Sequence, residues 1–188
     1  MLVAAIAIAG IPVQAQSLGG LLKKGKKTVE KIVGEKPAKK TSTVITESGI
    51  TVQNPIAEYI SIEPMGLYGV SEGENYGKLY LIIKVEMKAP AQSALFGSSI
   101  QNQKMLAVDM SGKTYGIDSS GAMRYDTPEG VTVTLRLDNP GLMFENVARS
   151  VEKMQIVKFG VGIDATRQGN ITLKNVPVFW DVTPDSIQ

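Results

Sequence analysis

From Leu79 to Met87 every odd residue is apolar: Leu79, Leu81, Ile83, Val85 and Met87. The even positions carry Tyr80, Ile82, Lys84 and Glu86, with Lys78 and Lys88 at the ends. A repeat of two sorts residues onto the two faces of a strand, and a helix cannot segregate it. The run Lys78–Lys88 therefore predicts a long strand with one buried face. Val131–Leu137 repeats the pattern, with Val131, Val133, Leu135 and Leu137 set against Thr132, Thr134 and Arg136. Two such faces packed back to back make a β-sandwich, and that expectation organises the rest of the chain.

The remaining sequence supplies further short strands and many turns. Val44–Thr46 and Ile50–Val52 flank Glu47-Ser48-Gly49 and read as a short hairpin or an edge ribbon. Ala57–Ile62 reads as an edge strand stopped by Pro64, Gly69–Gly77 and Pro90–Gly97 as loops, and Asp126–Gly130 as a turn. Met105–Met110 and Thr114–Ile117 enclose the turn Ser111-Gly112-Lys113. Leu142–Arg149 is expected to hold one helical turn, and Val151–Ile163 to be a strand covered on both sides. In Ile171–Trp180 the apolar positions move from odd to even across Lys174-Asn175, which predicts a β-bulge. About eight strands and no long helix after residue 43 point to an all-β, antiparallel sandwich over residues 44–188. With 188 residues and 43% hydrophobic content, one such domain has core enough, and two do not fit comfortably.

Ahead of it lie two further segments. Leu2–Ile11 is apolar and leads to Val13-Gln14-Ala15, the small-residue pattern of a secretory cleavage site, so residues 1–15 read as a signal peptide cut before Gln16. No lysine or arginine precedes the run, and it is far shorter than the ~20 residues of a membrane span. Residues 16–43 form a basic leader. Between Lys23 and Lys40 eight lysines face two glutamates, a balance of +6, so the rest of the chain carries −4 of the total +2. Leu18, Leu21, Leu22, Val29, Ile32 and Val33 recur at helical spacing. Lys23, Lys24, Lys26, Lys27 and Lys31 could then touch a membrane surface or an acidic partner. Gly19, Gly20 and Gly25 favour the plainer alternative of a solvated spacer.

The Asp109–Tyr115 hairpin, the Ile82-Ile83-Lys84-Val85 strand centre and the closing Ile171–Val178 strand resemble those of uncharacterised exported immunoglobulin-like β-sandwich domain proteins of Gram-negative bacteria. The resemblance spans roughly Ile56 to Asp181 and consists of turn and core signatures. It implies fold and compartment, a periplasmic or envelope location, and carries no active site.

The chain has no cysteine and no histidine. That excludes thiol nucleophiles, disulfides, thiolate metal sites and the usual proton shuttle near neutral pH. Ala107–Thr114 mimics a nucleotide loop and Gly160–Ala165 a dinucleotide fingerprint, but neither leads into a helix pattern, without which the anion has no positive helix end to face. Asp109, Asp118, Asp126, Glu129, Asp138 and Asp164 sit where turns favour carboxylates, and no dense acidic loop for calcium occurs. Tyr76 and Tyr80 offer an aromatic platform for a sugar or a protein, although aromatics at such positions more often cover the second face of their own sheet. The sequence thus predicts an exported, non-catalytic binding or assembly module without cofactor. Its expected partner is a protein or glycan of the envelope, with peripheral membrane contact through the leader and no nucleic acid. Two alternatives stand beside it: a carboxylate-dependent glycan hydrolase, and a structural subunit pairing through a sheet edge.

Overall fold

Alternation extends the central strand beyond Lys78, because Tyr76 and Gly77 continue the extended backbone that Leu79 begins. The computed structural model describes residues 41–98, 100–117 and 121–182. The expected signal peptide, the leader up to Lys40 and the five lysines Lys23, Lys24, Lys26, Lys27 and Lys31 lie outside the described residues. Twelve strands follow in order: β1 (Ser42–Ile45), β2 (Thr51–Asn54), β3 (Ile60–Ser71), β4 (Tyr76–Met87), β5 (Ser93–Gly97), β6 (Leu106–Asp109), β7 (Thr114–Gly116), β8 (Ala122–Asp126), β9 (Thr132–Leu137), β10 (Phe144–Ala148), β11 (Lys153–Gly162) and β12 (Gln168–Trp180). Among the described residues the helical elements are two short 3₁₀ turns, Ile100–Asn102 and Pro140–Leu142.

Several segments are pieces of one path. β5 and β6 both lie along β11, β8 and β7 lie outside them in turn, and β9 and β10 both lie along β4. The twelve segments therefore follow nine strand paths, close to the eight expected. One layer holds β9 and β10, β4, β3 and the end of β12; the other holds β1, β2, the start of β12, β11 and the β5 to β8 segments. β12 serves both, antiparallel to β11 up to Pro177 and then parallel to β3 from Val178 to Trp180. A single apolar cluster draws Leu81, Ile83 and Val85 from one layer and Phe96, Phe159 and Leu173 from the other. The protein is an all-β sandwich.

Four expectations need correction. β4 and β9 are neighbours in one sheet, Val85 opposite Val133 and Leu81 opposite Leu137, and do not pack back to back. Period two fixes which side of a strand is buried, not which strand lies across the core, and β11 and β12 fill that role. Secondly, β3 does not stop at Pro64 but runs through it, with a register shift between Pro64 and Gly66. Ile60 uses its N–H and C=O on Ile56 and Asn54, away from β4. Alternation then points the nitrogen of Pro64 the same way, where no ladder bond is lost.

Thirdly, Leu142–Arg149 holds strand β10 in place of a helical turn, and β5 and β8 occupy stretches expected to be loops or unassigned. Fourthly, β11 has one buried face whose parity changes: Met154 is buried on one side of the Gln155-Ile156 step, and Val157, Phe159 and Val161 on the other. β12 makes the matching change at Lys174-Asn175, where Asn175 adopts φ +60°. Because both strands step together their mutual register is unbroken. The irregularity predicted at Lys174-Asn175 shows instead as a register shift between β11 and β6.

Candidate functional site

The β1–β2 hairpin is closed by local chemistry. Thr46 Oγ1 accepts from the Ile50 N–H at 3.0 Å, the Thr46 N–H donates to Ile50 O at 2.9 Å, and Gly49 supplies the left-handed turn residue at φ +80°. At the other end Asn54, buried, donates from Nδ2 to Ile60 O at 2.8 Å and accepts from the Ile56 N–H at 2.9 Å. These two bonds hold the end of β2 against the start of β3. Between the hairpin and the first half of β3 lies a groove of about 390 Å³, lined by Val44, Val52, Asn54, Ile62, Glu63 and Lys88 among others. That volume falls in the range of ligand pockets.

Two strand edges bound the groove. β1 is hydrogen-bonded only to β2 among the described strands. Its Val44 and Ile45 are 55% and 71% exposed, one residue toward each face. Since Thr46 bonds toward β2, alternation directs Val44 and Ser42 the same way and turns the N–H and C=O of Thr43 and Ile45 outward. On β3, the N–H and C=O of Ile62 point away from β4 by the same argument that places Pro64. The site thus offers backbone donors and acceptors beside apolar side chains, the chemistry by which one extended chain takes hold of another. Glu47 and Glu63 with Lys88 add charge at the rim.

The residues singled out in the sequence lie elsewhere. Tyr80 is 4% exposed; its ring centroid is 6.0 Å from that of Tyr68, which stands 5.3 Å from Phe179. The Arg136 guanidinium sits 5.3 Å from the Tyr80 centroid. Tyr80 therefore covers the outer face of its own sheet, whereas Tyr76 is 47% exposed. The two do not form an open pair.

A second cleft, about 600 Å³, lies over the β6–β7 turn and is lined by Asp109, Ser111, Lys113, Tyr115, Glu152 and Lys153. Its buried carboxylate is fully committed. Asp109 Oδ1 accepts from the Ser111 hydroxyl at 2.6 Å, the Ser111 N–H at 2.9 Å and the Lys113 N–H at 3.0 Å, while Oδ2 accepts from the Tyr115 hydroxyl at 3.0 Å. The Ser111 hydroxyl above all holds its carboxyl below the usual range. Burial, and then Asp109 itself, push the Tyr115 hydroxyl up to about 12. Lys113 leads into strand β7, not a helix, so this turn cannot cradle phosphates as a nucleotide loop does.

In Gly160–Ala165 the chemistry is likewise that of a turn. Asp164 accepts from the N–H groups of Arg167 and Thr166, from the Thr166 hydroxyl and from Arg167 Nε, and is held far below the usual carboxylate range, chiefly by the Arg167 N–H. Gly160 is where a backbone comes close: a Cβ there would meet Ile100 Cβ at 2.6 Å and Gly97 O at 3.0 Å. Asp126 and Glu129 are exposed, Asp138 pairs with Arg136 at 3.2 Å, and Asp118 lies outside the described residues. No group of three or more acidic residues that could hold a metal ion occurs among the described residues. Comparison with protein-family models, with curated proteins and with solved structures finds no match.

Proposed function

We propose that this protein is an exported, non-catalytic module of the cell envelope that holds a protein partner at the β1 edge and its groove, with Leu18–Lys40 as a basic tether. One observation carries the reading: a strand whose outer edge is unpaired among the described residues, with two exposed aliphatic side chains, fixed in place by the Thr46 and Asn54 bonds above a groove of ligand size. The signal-like start and the split between a basic leader and an acidic remainder support the compartment and the tether.

A photo-reactive residue at Ile45, introduced into the full chain in its producing cell, is expected to give discrete protein adducts. The same residue at Met110, equally exposed but in the β6–β7 turn, is expected to give none. Equal labelling from both positions would remove the reading. For the tether, changing Lys23, Lys24, Lys26, Lys27 and Lys31 together to glutamine should cut sedimentation with anionic vesicles; unchanged partitioning would leave the leader as a spacer. The rival hydrolase reading would fall to Glu47 and Glu63, the carboxylates of the groove. It predicts sugar release from envelope glycan that Glu63→Gln abolishes, where the binding reading predicts no release from either form.

A further inference from the structure

We infer that the partner strand carries a lysine or arginine beside its apolar residues, and that Glu47 and Glu63 select it at one end of the groove. The inference rests on the reading of β1 as the binding edge and names the chemistry of what it holds. Backbone groups alone would accept any extended chain, so selection falls to the side chains that line the groove. Pairing senses fix where those side chains lie. β1 runs antiparallel to β2, β2 antiparallel to β12, and the end of β12 parallel to β3. β1 and the first half of β3 therefore run in the same sense along the two walls. They are level at their starts, because Ser42 pairs with Asn54 and Asn54 bonds the Ile60 carbonyl.

Charge is divided along this direction. Lys88 belongs to the starting end: its N–H donates to Tyr59 O at 2.8 Å and its Nζ to Ala57 O at 3.4 Å. Glu63 on β3 and Glu47 just beyond β1 lie toward the other end. Both carboxylates are exposed, and neither has an ion-pair partner among the described residues. Lys84 stands opposite Glu63 on β4, yet makes no ion pair with it. Between the charged ends the lining is apolar, with Val44, Val52 and Ile62. A segment that lays its aliphatic side chains over these residues and a cation at the Glu47 and Glu63 end meets opposite charge there. An acidic residue in that place would meet two like charges.

Selection of random heptapeptides displayed on phage against the purified full chain tests this. Ile45→Pro marks the edge, because it removes an outward N–H, leaves the bonds to β2 in place and changes no charge. Thr43→Pro does the same from the other outward position, and the variant whose circular dichroism spectrum matches wild type serves as the control. Clones retained by wild type and lost with the proline variant should be apolar and enriched in lysine or arginine, roughly threefold or more over the starting library. Combining Glu47→Gln with Glu63→Gln should return the basic residues to library frequency while apolar clones are still retained; Lys88→Gln should leave the enrichment in place. The inference is overturned if the edge-dependent clones show no basic preference, or if that preference survives the double glutamine variant. Apolar clones that depend on the edge without a basic preference would end the charge selection and leave the binding reading standing. If no clone depends on the edge, both fall.

Discussion

β4 has a strand along each side and buries Leu79, Leu81, Ile83, Val85 and Met87 completely. Among the described residues β1 is bonded along one side only, and it leaves Val44 and Ile45 more than half exposed. Both strands follow the same extended geometry, and the contrast comes from what surrounds them. Burial on the scale of β4 is what stabilises the sandwich. An edge like β1 adds little stability and leaves backbone groups open, and it is there that another chain can attach. The carboxylates divide in the same way: Asp109 spends its bonds within its own hairpin, while Glu47 and Glu63 line an open groove.

Substitutions should separate these roles. Leu81→Ala, at the centre of β4, is expected to cost about 2–5 kcal/mol by chemical denaturation, since it leaves a cavity in a closed core. A cost below about 1 kcal/mol would mean that the core is not packed there. Asp109→Ala strands the donors of Ser111, Lys113 and Tyr115 and should cost about 1–3 kcal/mol at neutral pH. Its folded pKa is depressed, so the stability it contributes is present above the ordinary value near 4 and disappears as pH falls through the lower folded value. The gap between wild type and Asp109→Ala should therefore narrow in acid; a gap constant down to pH 2 would contradict the assignment.

Tyr115 works in the opposite direction. Its raised value means a contribution present below about 10 and lost as pH rises toward about 12. Spectrophotometric titration should show a late phenol step that Tyr115→Phe removes. Ile45→Lys should change stability least, within about 0.5 kcal/mol, while abolishing pairing through β1. A destabilisation as large as that of Leu81→Ala would show that this edge belongs to the core after all.

The sequence made the buried faces of the strands legible where alternation is long, at Leu79–Met87 and Thr132–Leu137, and the turns where turn residues are explicit, at Glu47-Ser48-Gly49 and Ser111-Gly112-Lys113. It hid β5, β8 and β10 because each is a five-residue piece of an interrupted path. β10 also carries Asn146 at φ +54° within a register shift, so its alternation is broken. Pairing was illegible for a different reason: which strand lies beside β4 depends on contacts about 50 residues away, to which a period of two is blind. The site was half legible. The edge position was readable from two short apolar runs around Glu47-Ser48-Gly49, whereas Asn54 before Pro55, a side chain that bonds nearby backbone, was missed. The groove takes one wall from Ser61, Ile62 and Glu63 of β3, which no local pattern places beside the hairpin. Tyr80 misled as a platform because its partners, Tyr68 and Phe179, come from two other strands.

Amide hydrogen exchange on the dilute full chain tests the central claim most directly. Val44 N–H, bonded to β2, should be protected, its neighbours Thr43 and Ile45 should exchange nearly as fast as unstructured amides, and Leu81 and Ile83 should be the slowest of all. Equal protection of Thr43, Val44 and Ile45 in the monomer would mean that β1 already has a second neighbour, and the open edge on which the binding reading stands would not exist.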